Sequence, residues 1–176
     1  FPMPNVEVNP TEVMYAGAYL ENRVGSLLKM VDELQKYNLT LNIHLVLGWR
    51  SVAFEHPIIT FSKKGVGFLT YLKASQKAGI LLDIKACEHS GLSFRVFEAI
   101  RYSKKLITDN KSVKRYDFYR PENIFVVEDG CFDGLGAFLA GPYMPLSEEI
   151  KQKYSFTNWL RYALDLPPYQ ATNSKT

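Results

Sequence analysis

The sequence predicts an α/β protein: a Rossmann-like, doubly wound parallel sheet of about six strands with helices on both faces. Three observations carry that expectation. Short runs rich in Val, Ile and Leu alternate with segments whose apolar residues recur at helical spacing. The strand runs are almost continuously apolar, as strands covered on both faces must be. The chain has 176 residues, 47% hydrophobic and 22% charged, which suits one domain with a sizeable core.

Residues 1–10 hold Pro2, Pro4 and Pro10 and read as an extended lead-in or interdomain linker. The first strand is expected over Glu12 to Gly17. A helix follows in which Leu20, Val24, Leu27, Leu28, Val31 and Leu34 share a face. Leu41 to Leu47 reads as the second strand, closed by Gly48, and Pro57 to Phe61 as the third. A helix through Phe68, Leu69 and Leu72 comes next, ended by Gly79, and Ile80 to Ile84 is the fourth strand.

Ser93 is suited to cap a helix with Val96, Phe97 and Ile100 facing inward. Lys105 to Thr108 and Ile124 to Val127 supply strands five and six. Beyond them lies a glycine- and proline-rich connection from Gly134 to Pro145. Helices near Ser147 to Tyr154 and Phe156 to Leu164 follow, and a loose polar tail is expected over 167–176. The folded domain is thus expected over 11–166.

A net charge of +3 is too small to argue for nucleic acid as a partner. Cys87 and Cys131 lie far apart with no metal-ligand spacing around them, so neither a zinc site nor a disulfide framework is expected and a reducing, cytoplasmic setting fits. No run approaches the roughly 20 apolar residues of a membrane span, and no signal peptide is visible. The chain opens on Phe1 rather than Met, which suggests a piece of a longer protein.

Ligands of doubly wound sheets bind outside the carboxyl ends of the strands, where loops and helix N-termini offer free N–H groups. The loop after the first strand, Gly17-Ala18-Tyr19-Leu20-Glu21-Asn22-Arg23, lacks the further glycines of a dinucleotide fingerprint, and no P-loop is present. The loop after the fourth strand is more informative. Cys87-Glu88-His89-Ser90-Gly91-Leu92-Ser93 runs into a helix carrying Arg95 and Glu98. Gly91 lets backbone approach a ligand, Ser93 and the helix start offer donors, and Arg95 brings positive charge to a diphosphate. Glu98 can accept both hydroxyl protons of a ribose diol.

Here the sequence resembles the C-terminal domain of GT-B glycosyltransferases. Members carry a Glu-x7-Glu segment with a central Gly-Leu or Gly-Phe, then Ala and a strand; this chain reads Ser90-Gly91-Leu92-Ser93-Phe94-Arg95-Val96-Phe97-Glu98-Ala99-Ile100, then Ser103 to Thr108. It is also similar to bacterial lipopolysaccharide or capsular polysaccharide biosynthesis proteins. Their Lys-Lys-Leu-Ile-Thr, Tyr-Asp-Phe-Tyr and Asn-Ile runs have counterparts in Lys104 to Asn110, Tyr116 to Tyr119 and Asn123-Ile124. The likeness spans about Val13 to Leu164. Ser90 stands in place of the first Glu, and His89 in place of the Gln of the closer relatives.

The resemblance implies a metal-independent transferase that moves a sugar from a nucleotide-sugar to a glycan or lipid-linked acceptor. Any catalytic base would lie on an N-terminal domain of the same protein. It implies a donor site at His89, Ser90, Gly91, Leu92, Ser93, Arg95 and Glu98, with Arg23 toward the diphosphate and Phe61 and Ser62 at the base. A nucleotide-sugar 2-epimerase, or a non-catalytic nucleotide-sugar or interaction module, is the alternative, the latter suggested by Ser90.

Other residues read more plainly. Asp83, in an apolar strand, needs a partner and is expected to hold a neighbouring loop. Tyr116, Phe118 and Tyr119 read as a hydrophobic plug. Lys104, Lys105, Lys111, Lys114 and Arg115 read as a solvated basic face, suited also to a peripheral approach to an anionic inner-membrane surface.

Overall fold

Each apolar run becomes a strand of one sheet in the computed structural model, which describes residues 6–51, 54–85 and 91–172. In chain order the elements are β1 (Asn9–Ala18), α1 (Glu21–Leu34), β2 (Thr40–Val46), β3 (Ile59–Ser62), α2 (Phe68–Lys77), β4 (Ala78–Asp83) and α3 (Phe94–Tyr102). Then come β5 (Lys105–Thr108), a 3-10 turn (Lys111–Arg115), β6 (Ile124–Val126), α4 (Leu135–Ala140), α5 (Glu148–Lys153) and α6 (Phe156–Ala163). The sheet order is β3-β2-β1-β4-β5-β6 and every pairing is parallel. The architecture is Rossmann-like. Strand order reverses between β1 and β4, which opens a crevice at their carboxyl ends.

Alternation along β1 distributes its side chains to two cores. Val13 and Tyr15 face α1, where Leu27, Met30, Val31 and Leu34 meet Ile43, Leu45, Ile80 and Leu82. Met14 faces α2 and α3 and packs with Leu81, Val96, Ile100 and Leu106. Helices therefore cover both faces. Truncating one of these fully buried leucines to alanine costs about 2–5 kcal/mol.

Two sequence expectations need correction. Gly79 does not end α2; the helix stops at Lys77 and Gly79 is the second residue of β4. A Cβ there would lie 2.4 Å from the Pro10 carbonyl oxygen, so glycine is required by the close approach of β1 and not by helix capping. That approach also explains why β1 begins at Asn9, inside the expected lead-in: the β1–β4 register shifts between Asn9 and Val13, which accommodates Pro10.

The basic face is the second correction. Lys104 and Lys105 are buried; Lys104 Nζ donates to the Gln76 carbonyl at 2.5 Å. Lys105 Nζ donates to the carbonyls of Phe138 and Gly141 at 2.5 Å and of Leu139 at 3.1 Å, satisfying the end of α4. Burial holds both ammonium groups below the usual lysine range. Lys111 and Lys114 pair with Asp129 and Glu128.

The aromatic plug is as expected. Phe118 is inaccessible, stacked on Tyr116 at 5.2 Å and edge-on to Tyr154 at 4.8 Å. The segment 167–172 is irregular, yet Gln170 exchanges two 2.8 Å hydrogen bonds with the Asn158 side chain. Among the described residues no helix is long and apolar enough to cross a membrane.

Candidate functional site

The crevice between β1 and β4 gathers side chains from six elements: β1, α1, α2, β4, α3 and β5. Asp83 ends β4 at 1% exposure, with each carboxylate oxygen occupied. Oδ1 accepts from Ser93 Oγ at 2.6 Å and Oδ2 from Thr108 Oγ1 at 2.9 Å. The Ser93 oxygen in turn accepts from the Arg95 amide at 3.2 Å, capping α3. Asp83 therefore fixes the start of α3 against β5, the loop-holding role expected of it.

Arg95, in the first turn of α3, reaches back across the sheet edge. Its guanidinium donates to the Ala16 carbonyl on β1, lies 3.9 Å from Asp83 and sits 4.8 Å from the Tyr15 ring centroid. Its side chain is only 14% exposed, and its Nε is buried without a hydrogen-bond partner.

Arg23 enters from the other side, in the first turn of α1, within electrostatic reach of the Tyr15 hydroxyl. Its Nε is likewise buried and unpartnered. The α1 N-terminus has no side-chain cap, because Leu20 holds the capping position. Burial pushes the Tyr15 hydroxyl up from its ordinary pKa, against the opposing pull of Arg95 and Arg23.

Glu98 lies one turn beyond Arg95 and accepts from the Tyr71 hydroxyl of α2 at 2.5 Å. Burial raises its pKa, outweighing the Tyr71 hydrogen bond and the Arg95 charge that lower it. A carboxylate and a phenol, both half-buried, thus sit within electrostatic reach of the Arg95 guanidinium. Such an arrangement can bind a polyanion through the arginines and hydroxyl groups through Glu98 and Tyr71.

The structure brings Ser93, Arg95, Glu98 and Arg23 together. Gly91 and Leu92 lead into the same helix; the Gly91 carbonyl accepts from Asn110 Nδ2 at 3.1 Å. Phe61 and Ser62 stand apart, on β3, two strands or about 10 Å from β1. Phe61 packs edge-on against Phe54, and Ser62 Oγ donates to the Lys64 carbonyl while contacting His44 Nε2 at 2.7 Å. His89 and Ser90 lie outside the described residues.

Sequence reasoning missed Tyr15, Tyr71 and Thr108. Tyr15 sits in an apolar run and reads as core, while Tyr71 carries no motif. Tyr15 meets Arg95 because β1 pairs with β4, Tyr71 meets Glu98 across α2 and α3, and Thr108 meets Asp83 because β5 pairs with β4. Among the described residues, no group of three or more His, Cys, Asp or Glu could hold a metal ion.

Fold and crevice define a Rossmann-like α/β domain with two inward-folded arginines at its switch point. No protein-family model, curated protein or solved structure matches the chain.

Proposed function

We propose that the chain is the donor-binding domain of a GT-B-type glycosyltransferase that takes a sugar from a nucleotide diphosphate carrier in surface-polysaccharide biosynthesis. One observation carries the reading: where the strand order reverses, Arg95 of α3 lies over the Tyr15 ring and Arg23 of α1, a helix that follows a different strand, stands within electrostatic reach of the same side chain. That is where doubly wound folds bind phosphate. Two guanidiniums and the uncapped start of α1 would stabilise the diphosphate as it leaves. Glu98 would accept from the ribose hydroxyls in place of Tyr71.

The acceptor, glycan or lipid-linked, would approach the same sheet edge from a second lobe. Trp49, in the loop after β2, is fully exposed, and Phe68 and Phe94, the first residues of α2 and α3, are 70% and 82% exposed at that edge. An apolar rim of this kind suits a facing protein surface.

Calorimetric titration of the chain with UDP, GDP, CDP and their sugars tests the proposal. Saturable binding to one of them is expected. Arg23→Ala and Glu98→Gln should each weaken it about tenfold to a hundredfold, the loss of one hydrogen bond to a charged group. Arg95→Lys should weaken it too, because an ammonium lacks the planar fork. Failure of every nucleotide to bind would sink the reading.

A further inference from the structure

A pocket of about 370 Å³ opens between α3 and α6, on a side of α3 that the crevice does not use. Phe97 stacks on Tyr154, whereas Glu98, the next residue, reaches Tyr71 of α2, so the helix itself separates the two places. The walls are Phe94 and Phe97 of α3, Tyr116 and Tyr154, and Phe156 and Trp159 of α6. The volume falls within the range of about 300–1,000 Å³ usual for small-molecule sites. Ring contacts hold the walls in place: centroids lie 6.2 Å apart for Phe97 and Tyr154, 6.2 Å for Tyr116 and Tyr154, and 5.6 Å for Phe156 and Trp159. Yet Phe94, Phe156 and Trp159 are more than half exposed, and α6 buries no residue of its own.

The lining decides the ligand class. Among the described residues, none that lines the pocket is charged. Of its hydroxyls, that of Tyr154 donates to Asp117 at 2.6 Å, and Ser155 Oγ caps α6 by accepting from the Asn158 amide at 3.1 Å. Those of Tyr116 and Thr172 are left. A sugar ring brings several hydroxyl groups, each costly to bury unpaired, and two hydroxyls do not serve them. A hydrocarbon chain needs no partner and gains from every apolar wall.

Charge around the pocket is one-sided. On the lining elements and their flanks the acids are committed: Glu98 to Tyr71, Asp117 to Lys153 and Tyr154, and Asp165 to Tyr169. Arg101 lies one turn beyond Phe97, Arg115 adjoins Tyr116, and Arg161 is on α6. All three are exposed, and among the described residues none of them forms an ion pair. Exposed arginines with no acid of their own complement an anionic group.

We infer that this pocket is a binding site for the hydrocarbon chain of a single amphiphile with an anionic head, the chain lying between the rings of α3 and α6 and the head toward the arginines. The inference goes beyond the diphosphate reading and does not rest on it. Held together, the two make the acceptor lipid-linked rather than a free glycan.

Trp159 is the reporter. The chain has two tryptophans, so Trp49→Phe leaves Trp159 alone. Hexyl, octyl and decyl phosphate are titrated below their aggregation concentrations, and Trp159 emission should shift saturably to the blue as the chain covers the indole. Affinity should rise about fourfold for each methylene added until the pocket is full. Octyl glucoside, with the same chain and an uncharged head, should bind about fivefold more weakly, the worth of an exposed ion pair. Arg101→Glu with Arg115→Glu should erase that difference. Phe94→Ser with Phe156→Ser should weaken octyl phosphate about tenfold. Both of those side chains are exposed, so urea unfolding should be nearly unchanged.

An emission that responds to none of the phosphates, or an affinity that does not grow with chain length, overturns the site. Equal binding of octyl phosphate and octyl glucoside overturns the anionic head. Octyl phosphate binding that survives Phe94→Ser with Phe156→Ser places the chain elsewhere and overturns the assignment. The nucleotide titrations decide the diphosphate reading separately, since they probe the other side of α3.

Discussion

Asp83 shows how much one side chain organises. Its carboxylate, at the end of β4, ties the α3 cap at Ser93 to Thr108 of β5 and faces Arg95. Asp83→Ala would leave two hydroxyls and a largely buried guanidinium without their acceptor. We expect a loss of about 3–5 kcal/mol in urea unfolding, the range for removing one member of a buried ionic group. Gly79→Ala tests a different mechanism at the same scale. With backbone 2.4 Å from the added methyl, β1 and β4 must separate, at a cost of about 1–3 kcal/mol. Glu98 should behave in the opposite way. A carboxyl whose folded pKa is raised binds its proton more tightly folded than unfolded. The fold therefore loses stability as pH rises from the unfolded value of about 4.3 through the folded one, and bears that cost at neutral pH. Glu98→Gln keeps an acceptor for Tyr71 and removes the charge. Urea midpoints should then be higher than wild type at pH 7.5 and equal to it at the acid end, while nucleotide binding weakens. A residue whose replacement stabilises the fold and harms binding is held for the ligand.

At the scale of elements, the strands were legible because burial on both faces leaves a continuous apolar run, and Lys105–Thr108 was read to the residue. The 3-10 turn and α4 were not. Leu135–Ala140 is six residues between glycines, too short for periodicity to show, and it is held by Lys105, 30 residues upstream. A cation buried against helix carbonyls looks in sequence like any surface lysine. The α5–α6 pair depends on a similar long-range tie. Asp117 accepts from Lys153 Nζ and from the Tyr154 hydroxyl, both at 2.6 Å. Burial raises its pKa, but these two hydrogen bonds and the Lys153 charge outweigh that and hold it below the usual carboxylate range. The sign is that of a depressed acid: the contribution is complete above the unfolded pKa, about 3.9, and is lost as pH falls through the folded value. The α6 helix buries no residue and has little else to hold it. Acid should therefore release α5 and α6 before the sheet unfolds. In a Trp49→Phe background, Trp159 fluorescence should shift at a higher pH than the circular dichroism of the sheet, and Asp117→Asn should show the released signal at neutral pH.

For the whole molecule, the reversal of strand order is what converts scattered residues into a crevice. Helix spacing and capping chemistry placed Ser93, Arg95 and Glu98 together, since all lie on one short segment. Tyr15 and Tyr71 come from 80 and 27 residues before Arg95 and Glu98, and nothing local marks them. The same topology sends Trp49, Phe68, Leu69 and Phe94 to the carboxyl edge of the sheet. Single exposed apolar residues are ordinary on a protein surface, but these follow three successive strands, β2, β3 and β4, at the same edge of the sheet. If they serve a facing lobe, they contribute nothing to this domain's own stability. Phe68→Ser, Leu69→Ser and Phe94→Ser together should then leave the unfolding free energy within about 0.5 kcal/mol per site, as expected for surface positions. Sedimentation should show less self-association at high concentration, because the apolar rim is gone. A fall of several kcal/mol in urea unfolding would instead make the rim part of the domain's own packing, and the crevice would then be open to solvent in the working protein.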